Sequence, residues 1–182
     1  VAKLMPGHWL ELGEVGEPVE HRYWSAFPVA EPFTESDPEL ERHLEFLLID
    51  SFRYRTVADV PVGVFLSGGV DSSAVAAILQ KYGGGDVRTF TIGFDDPRYD
   101  EADHARRVAK HLGTRHTERI VTGADMRDVL AHWPEIFDEP FGDSSGVPTY
   151  LVSKMARESV KVALSADGGD ELFGGYEHHI LG

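Results

Sequence analysis

Short apolar runs alternate along this chain with segments whose apolar residues recur every three or four positions, a rhythm that predicts strands and helices in turn. Val64, Phe65 and Leu66 form a continuous apolar run, as expected of a parallel strand covered on both faces. Ser67-Gly68-Gly69 interrupts the run, and from Asp71 onward Val75, Ile78 and Leu79 recur at helical spacing. Residues 82–86 are too glycine-rich to continue any element, and a second strand follows over 87–93. Residues 99–112 read as a helix with Ala102, Ala105, Val108, Ala109 and Leu112 spaced for burial. A third strand over 115–121, helices over 125–133 and 148–158, and a fourth strand over 160–164 complete the series. The predicted fold class is α/β, a parallel sheet flanked by helices.

The first third of the chain breaks this rhythm. Residues 6–24 carry Pro-Gly punctuation, a second turn over 13–18 and a closing Arg22-Tyr23-Trp24, which predicts a short N-terminal β-hairpin with an exit strand. Residues 28–38 read as a linker with three prolines. Ser36-Asp37-Pro38 then starts a helix whose apolar face runs through Leu40, Leu44, Leu47, Leu48 and Phe52 to about Thr56, where Asp59 and Pro61 stop it. Two domains are expected, 1–36 and 37–182. No internal repeat or low-complexity tract is present.

The strand ends carry the candidate chemistry. Ser67, Gly68 and Gly69 lack the bulk that keeps a backbone from an anion, and the helix that follows turns its free N–H groups and positive dipole end toward the same spot. A pyrophosphate suits such a cradle. Asp71 would repel it unless a cation such as Mg²⁺ lies between them; the plainer reading is that Asp71 or Ser72 caps the helix. The spacing is not that of a Walker loop, and no lysine follows. Asp167, Asp170 and Glu171 crowd within five residues among glycines directly after the fourth strand. Either a metal-nucleotide site or an acidic turn with a helix cap explains that density. In a parallel sheet Leu66, Ile92 and Ser165 all emerge along one edge, where ligands of such folds bind.

Composition narrows the function classes. Lys and Arg total 17 against 31 Asp and Glu, a formal charge of −14, which argues against a nucleic-acid footprint. No apolar run approaches the roughly 20 residues that span a bilayer, and residues 1–10 lack a signal-peptide core, so a cytoplasmic protein without membrane contact is expected. There is no cysteine, hence no disulfide and no thiolate metal site.

Ser67-Gly68-Gly69-Val70-Asp71-Ser72 resembles the SGGxDS signature of the PP-loop ATP pyrophosphatases, and residues 162–176, Val-Ala-Leu-Ser-Ala-Asp-Gly-Gly-Asp-Glu-Leu-Phe-Gly-Gly-Tyr, resemble the SGDGGDELFGGY block of the asparagine synthetase family. Between them, Thr89 to Phe94, Tyr99-Asp100-Glu101, Leu112-Gly113-Thr114 with His116, and residues 138–145 follow the family's order. The resemblance covers roughly residues 38–182. It implies ATP and Mg²⁺, adenylation of a carboxylate such as aspartate with release of pyrophosphate, then amidation by ammonia. It further implies that Leu66, Ile92, Ser165 and Ala166 contact adenosine, that Ser67, Gly68, Gly69 and Ser72 hold pyrophosphate, and that Asp71 and Asp170 hold Mg²⁺. Asp167 and Glu171 would act in catalysis. Ala166 stands where the family has glycine, which adds a methyl group beside the nucleotide.

The same resemblance implies that residues 1–36 are the tail of a glutaminase domain and that the synthetase domain continues beyond residue 182, so a fragment inactive for full turnover is expected. The oligomeric state is open, a homodimer among the options. Asp143, Ser144 and Ser145 could line the acceptor pocket or form an ordinary turn. The nine histidines are expected in surface or capping roles, and Trp9, Trp24 and Trp133 as packing anchors. A β-lactam-forming or sugar-amidating relative would share these motifs; a tRNA-modifying PP-loop enzyme and a non-catalytic nucleotide-binding module also stay open.

Overall fold

The structure is a computed structural model that describes residues 3–25, 34–98, 100–176 and 179. The chain divides into two compact units, Val1–Leu40 and Glu41–Gly182. In the first, strands β1 (His8–Glu11) and β2 (Val19–Arg22) pair antiparallel, His8 opposite Arg22, as the predicted hairpin. Trp9 stacks on His21 with ring centroids 4.4 Å apart, yet Trp9 and Trp24 stay about half exposed rather than anchoring a core. Hairpins of two short strands have too little interior to enclose an indole. Most of the expected linker lies outside the described residues.

Helix α1 (Asp37–Arg55) starts where Ser36 Oγ donates to Glu39 Oε2 at 2.6 Å. It has no fully buried residue. Of its predicted apolar face, Leu44 and Leu47 are exposed, Leu48 is partly covered and Phe52 packs on the core. The other elements are β3 (Val62–Phe65), α2 (Val70–Tyr82), β4 (Arg88–Phe94), α3 (Ala102–Leu112), β5 (Arg115–Val121), α4 (Gly123–Ala131), α5 (Trp133–Ile136), α6 (Gly146–Ala156), β6 (Val162–Leu164) and α7 (Gly169–Phe173). The helix expected over 99–112 starts late, since Asp100 Oδ1 accepts from the amides of Phe94 and Ala102 and is held outside it. Tyr99 itself lies outside the described residues. The helix expected over 125–133 breaks at His132, where Trp133-Pro134 begins a separate turn.

The four strands β3 to β6 form one parallel sheet in the order β5-β4-β3-β6. Alternation along each strand separates two apolar layers. Val64 and Leu66 pack with Val75, Ala76 and Leu79 of α2 and Ala105 and Ala109 of α3. Phe65, Phe90 and Ile92 meet Val152, Met155 and Ala156 of α6 on the opposite face. Each side chain buried as fully as Leu66 or Phe90 contributes about 1.5–3 kcal/mol. One histidine departs from the expected surface role. His116 of β5 is half-buried with Nδ1 3.0 Å from Thr89 Oγ1, while its buried Nε2 has no hydrogen-bond partner among the described residues and the Glu118 carboxylate stands 3.7 Å away. Burial, ahead of the neighbouring charges, holds its pKa below the usual histidine value.

Candidate active site

Chain order and spatial order disagree at one place in the sheet. The chain runs outward from β3 through β4 to β5 and then returns to lay β6 on the other side of β3, so the loops after β3 and β6 stand side by side at the strand ends. That switch point is where open parallel sheets bind ligands. A cavity of about 850 Å³ occupies it, lined by Leu66, Ser67, Gly69, Asp71 and Ser72 from the first loop and by Ser165, Ala166, Asp167 and Asp170 from the second. Ile92, at the end of β4, supplies part of the wall. Ten of the residues singled out in the sequence thus share one cavity.

The first loop is tied by its own hydroxyls. Ser72 Oγ accepts from the amide of Ser67 at 3.2 Å and lies 2.9 Å from Ser67 Oγ, which accepts from the amide of Gly69 at 3.2 Å. Thr91 donates to the carbonyl of Leu66 from the neighbouring strand. The first amide bonded in helical fashion is that of Ser73, to Gly69 O at 3.1 Å, so those of Val70, Asp71 and Ser72 remain outside the helical pattern and free for an anion. Gly68 does not line the cavity. It turns the chain at φ +86°, pressed on α3 so closely that a Cβ would lie 2.6 Å from Ala105 N.

The second loop is shaped by glycines at φ > 0, Gly168 at +92° and Gly174 at +71°, one at each end of α7. Ser165 Oγ donates to Asp167 Oδ2 at 2.6 Å, which fixes that carboxylate at the cavity. Gly169 carries no side chain because the Asp71 carboxylate occupies the space, and a Cβ there would overlap it. Ala166 packs against the core beneath β3, and no non-glycine residue among those described has a positive φ, so alanine meets no backbone strain here.

Two predicted sites fall elsewhere. Glu171 lines neither this cavity nor the smaller one beside α1; its Oε1 accepts from Tyr176 Oη at 2.6 Å. That bond holds the Glu171 carboxyl below its usual range and pushes the Tyr176 phenol up to about 12. Asp143, Ser144 and Ser145 also lie off the cavity. The amide of Ser145 donates to Asp143 Oδ1 at 2.8 Å in an Asx turn ahead of α6, which lowers the Asp143 pKa. Glu101, Thr149 and Val152 line the cavity without having been singled out. Glu101 sits in the Tyr99-Asp100-Glu101 motif, which was the available signal; nothing marks Thr149 or Val152 in a sequence apart from helical periodicity.

The donor set suits a hard cation with a bound phosphate. No three His, Asp or Glu side chains converge among the described residues. Mg²⁺ on a nucleotide needs one or two carboxylates, the phosphates and water supplying the rest. Asp71 and Asp170 open on one cavity, and Asp71 abuts the residue just before Asp170.

The sequence model for asparagine synthase matches residues 43–181. The chain belongs to the asparagine synthase family. Asparagine synthase relatives include a Methanocaldococcus jannaschii protein assigned by name to the glutamine-hydrolysing asparagine synthetases, 41% identical over 90% of this chain and 31% of its own length. Asparagine synthetase 1 of Bacillus subtilis is 32% identical over 97% of the chain and 27% of its own, and asparagine synthetase B of Escherichia coli 35% identical over 92% and 32%. The chain therefore spans about a quarter to a third of the length of the curated relatives it matches. The NH3-dependent NAD synthetase of Campylobacter jejuni shares the fold, with a TM-score of 0.50 and 16% identity over 74% of this chain and 60% of that one.

Proposed function

We propose that this asparagine synthase domain binds Mg-ATP in the crevice between β3 and β6 and serves ATP-dependent amide formation, with aspartate as the carboxylate and ammonia as the nitrogen donor. The observation that carries the reading is the meeting of a glycine-turn helix start and two aspartates from separate strand ends over one cavity.

The chemistry follows from that placement. A carboxylate oxygen of the acceptor attacks the α-phosphorus of ATP; the bond from that phosphorus to the bridging oxygen breaks, and pyrophosphate leaves. The amides of Val70, Asp71 and Ser72, with the positive end of α2, stabilise the departing charge. Asp71 and Asp170 would hold Mg²⁺, and the ion would supply charge neutralisation at the phosphates. Leu66, Ile92 and Ala166 wall the adenosine, with Ser165 at the second strand end. Asp167, oriented by Ser165, faces the acceptor end of the adenylate. Ammonia then attacks the acyl carbon and loses a proton to solvent, AMP departs with the bonding electrons, and an amide remains. The mixed anhydride requires exclusion of water.

Exchange of labelled pyrophosphate into ATP, measured with and without aspartate, tests the first half-reaction. The expected result is exchange that requires both aspartate and Mg²⁺. Cleavage of ATP to ADP and phosphate instead would overturn the proposal.

A further inference from the structure

Asp170 is enclosed by the chain that follows it. Its carbonyl accepts two amides, Gly174 N at 2.9 Å and Gly175 N at 3.0 Å. Its carboxylate lies against Gly175, where a Cβ would overlap Oδ1. The glycine return over residues 174–175 therefore wraps the side chain and main chain of the same residue, and both Asp170 and Gly175 face the cavity. The very next residue, Tyr176, sends its hydroxyl back across the return to Glu171 Oε1 at 2.6 Å. A turn closed on two glycines gains its order from whatever spans it, and beside the two main-chain bonds to the Asp170 carbonyl the hydroxyl-to-carboxylate bond is a side-chain contact across it.

We infer that Glu171 and Tyr176 are a positioning pair, whose hydrogen bond fastens the glycine return to α7 and so holds the Asp170 carboxylate toward the cavity. The inference rests on the reading of Asp170 as a ligand of the nucleotide-bound cation. Glu171 is then not a catalytic residue, since it acts through Asp170 and touches no reacting atom. What the pair needs from position 171 is an acceptor, not a charge.

Three variants of the 182-residue chain separate these roles: Tyr176→Phe removes the donor, Glu171→Ala removes the acceptor, and Glu171→Gln keeps an acceptor without the charge. Two readouts are taken, amide exchange at Gly174 and Gly175, and Mg-ATP affinity by calorimetry. Tyr176→Phe and Glu171→Ala should speed exchange at both glycines and weaken Mg-ATP by about tenfold, the low end of what a partner behind a ligand contributes. Glu171→Gln should restore both. Unchanged exchange in Tyr176→Phe would overturn the pair. A Glu171→Gln chain that exchanges as wild type but binds as poorly as Glu171→Ala would overturn it too, since the charge would then act on the ligand directly. If the wild-type chain shows no Mg-dependent binding, the nucleotide reading fails, while the exchange readout still decides the pair.

Discussion

Replacing Gly169 with alanine should separate binding from stability. Gly169 begins α7 with an ordinary φ, so alanine fits the backbone, and its better helix propensity offers up to about 1 kcal/mol. The added Cβ, however, would overlap the Asp71 carboxylate, which must swing away. Asp71 is half-buried, so the swing into solvent costs little folding energy. On the proposed function, what is lost is a charged contact to the cation-nucleotide complex, typically worth about 1.5–3 kcal/mol. At 1.4 kcal/mol per decade this predicts Mg-ATP binding weakened by about 10- to 150-fold, with urea stability unchanged or slightly raised. In an Asp71→Ala background the same substitution should cost no further affinity, because the group it displaces is gone. Calorimetry and urea unfolding on the four chains of this cycle check both halves. Gly169→Ala binding within about twofold of wild type would refute the argument that Asp71 works from the space beside Gly169.

Three other outcomes are expected. Gly68→Ala places a Cβ at φ +86° against the backbone of His104 and Ala105, and should cost about 2–4 kcal/mol in urea unfolding. Thr122→Ala removes a capping box in which Thr122 Oγ1 and Asp125 bond each other's amides, and should lower stability by about 1 kcal/mol in the same assay. For His116 the folded pKa lies below the unfolded value of 6.5, so above that pH neither state is protonated and the residue contributes no pH dependence. As pH falls through it the unfolded chain takes up the proton first, and stability drops until the folded pKa is passed. Unfolding free energies compared between about pH 7 and about pH 5.5 should fall more for wild type than for His116→Gln.

Much of this architecture is legible in the order of residues alone. Continuous apolar strands, glycine turns at their ends and helical spacing between them place Leu66, Ile92 and Ser165 on one sheet edge, and the crevice follows once β6 pairs with β3. What pattern alone misses depends on direction and coverage. Glu171 sits one residue from Asp170, yet the helical turn sends it to Tyr176 and away from the cavity. For residues 143–145 the sequence leaves a pocket-lining role and an ordinary turn open, and the fold shows a turn in which Asp143 accepts from the Ser145 amide. The apolar face of α1 has the spacing of a buried helix while Leu44 and Leu47 remain exposed, because periodicity records a face and not what covers it. The short helix α7 is hidden by its glycines, which read as loop.

The most direct test of the central claim is a calorimetric titration of ATP into the wild-type and Asp71→Ala chains, each with and without Mg²⁺. Mg²⁺ should strengthen ATP binding to the wild type, and Asp71→Ala should abolish that gain. Equal ATP affinity in all four titrations would contradict the assignment of Asp71 to the cation on the nucleotide.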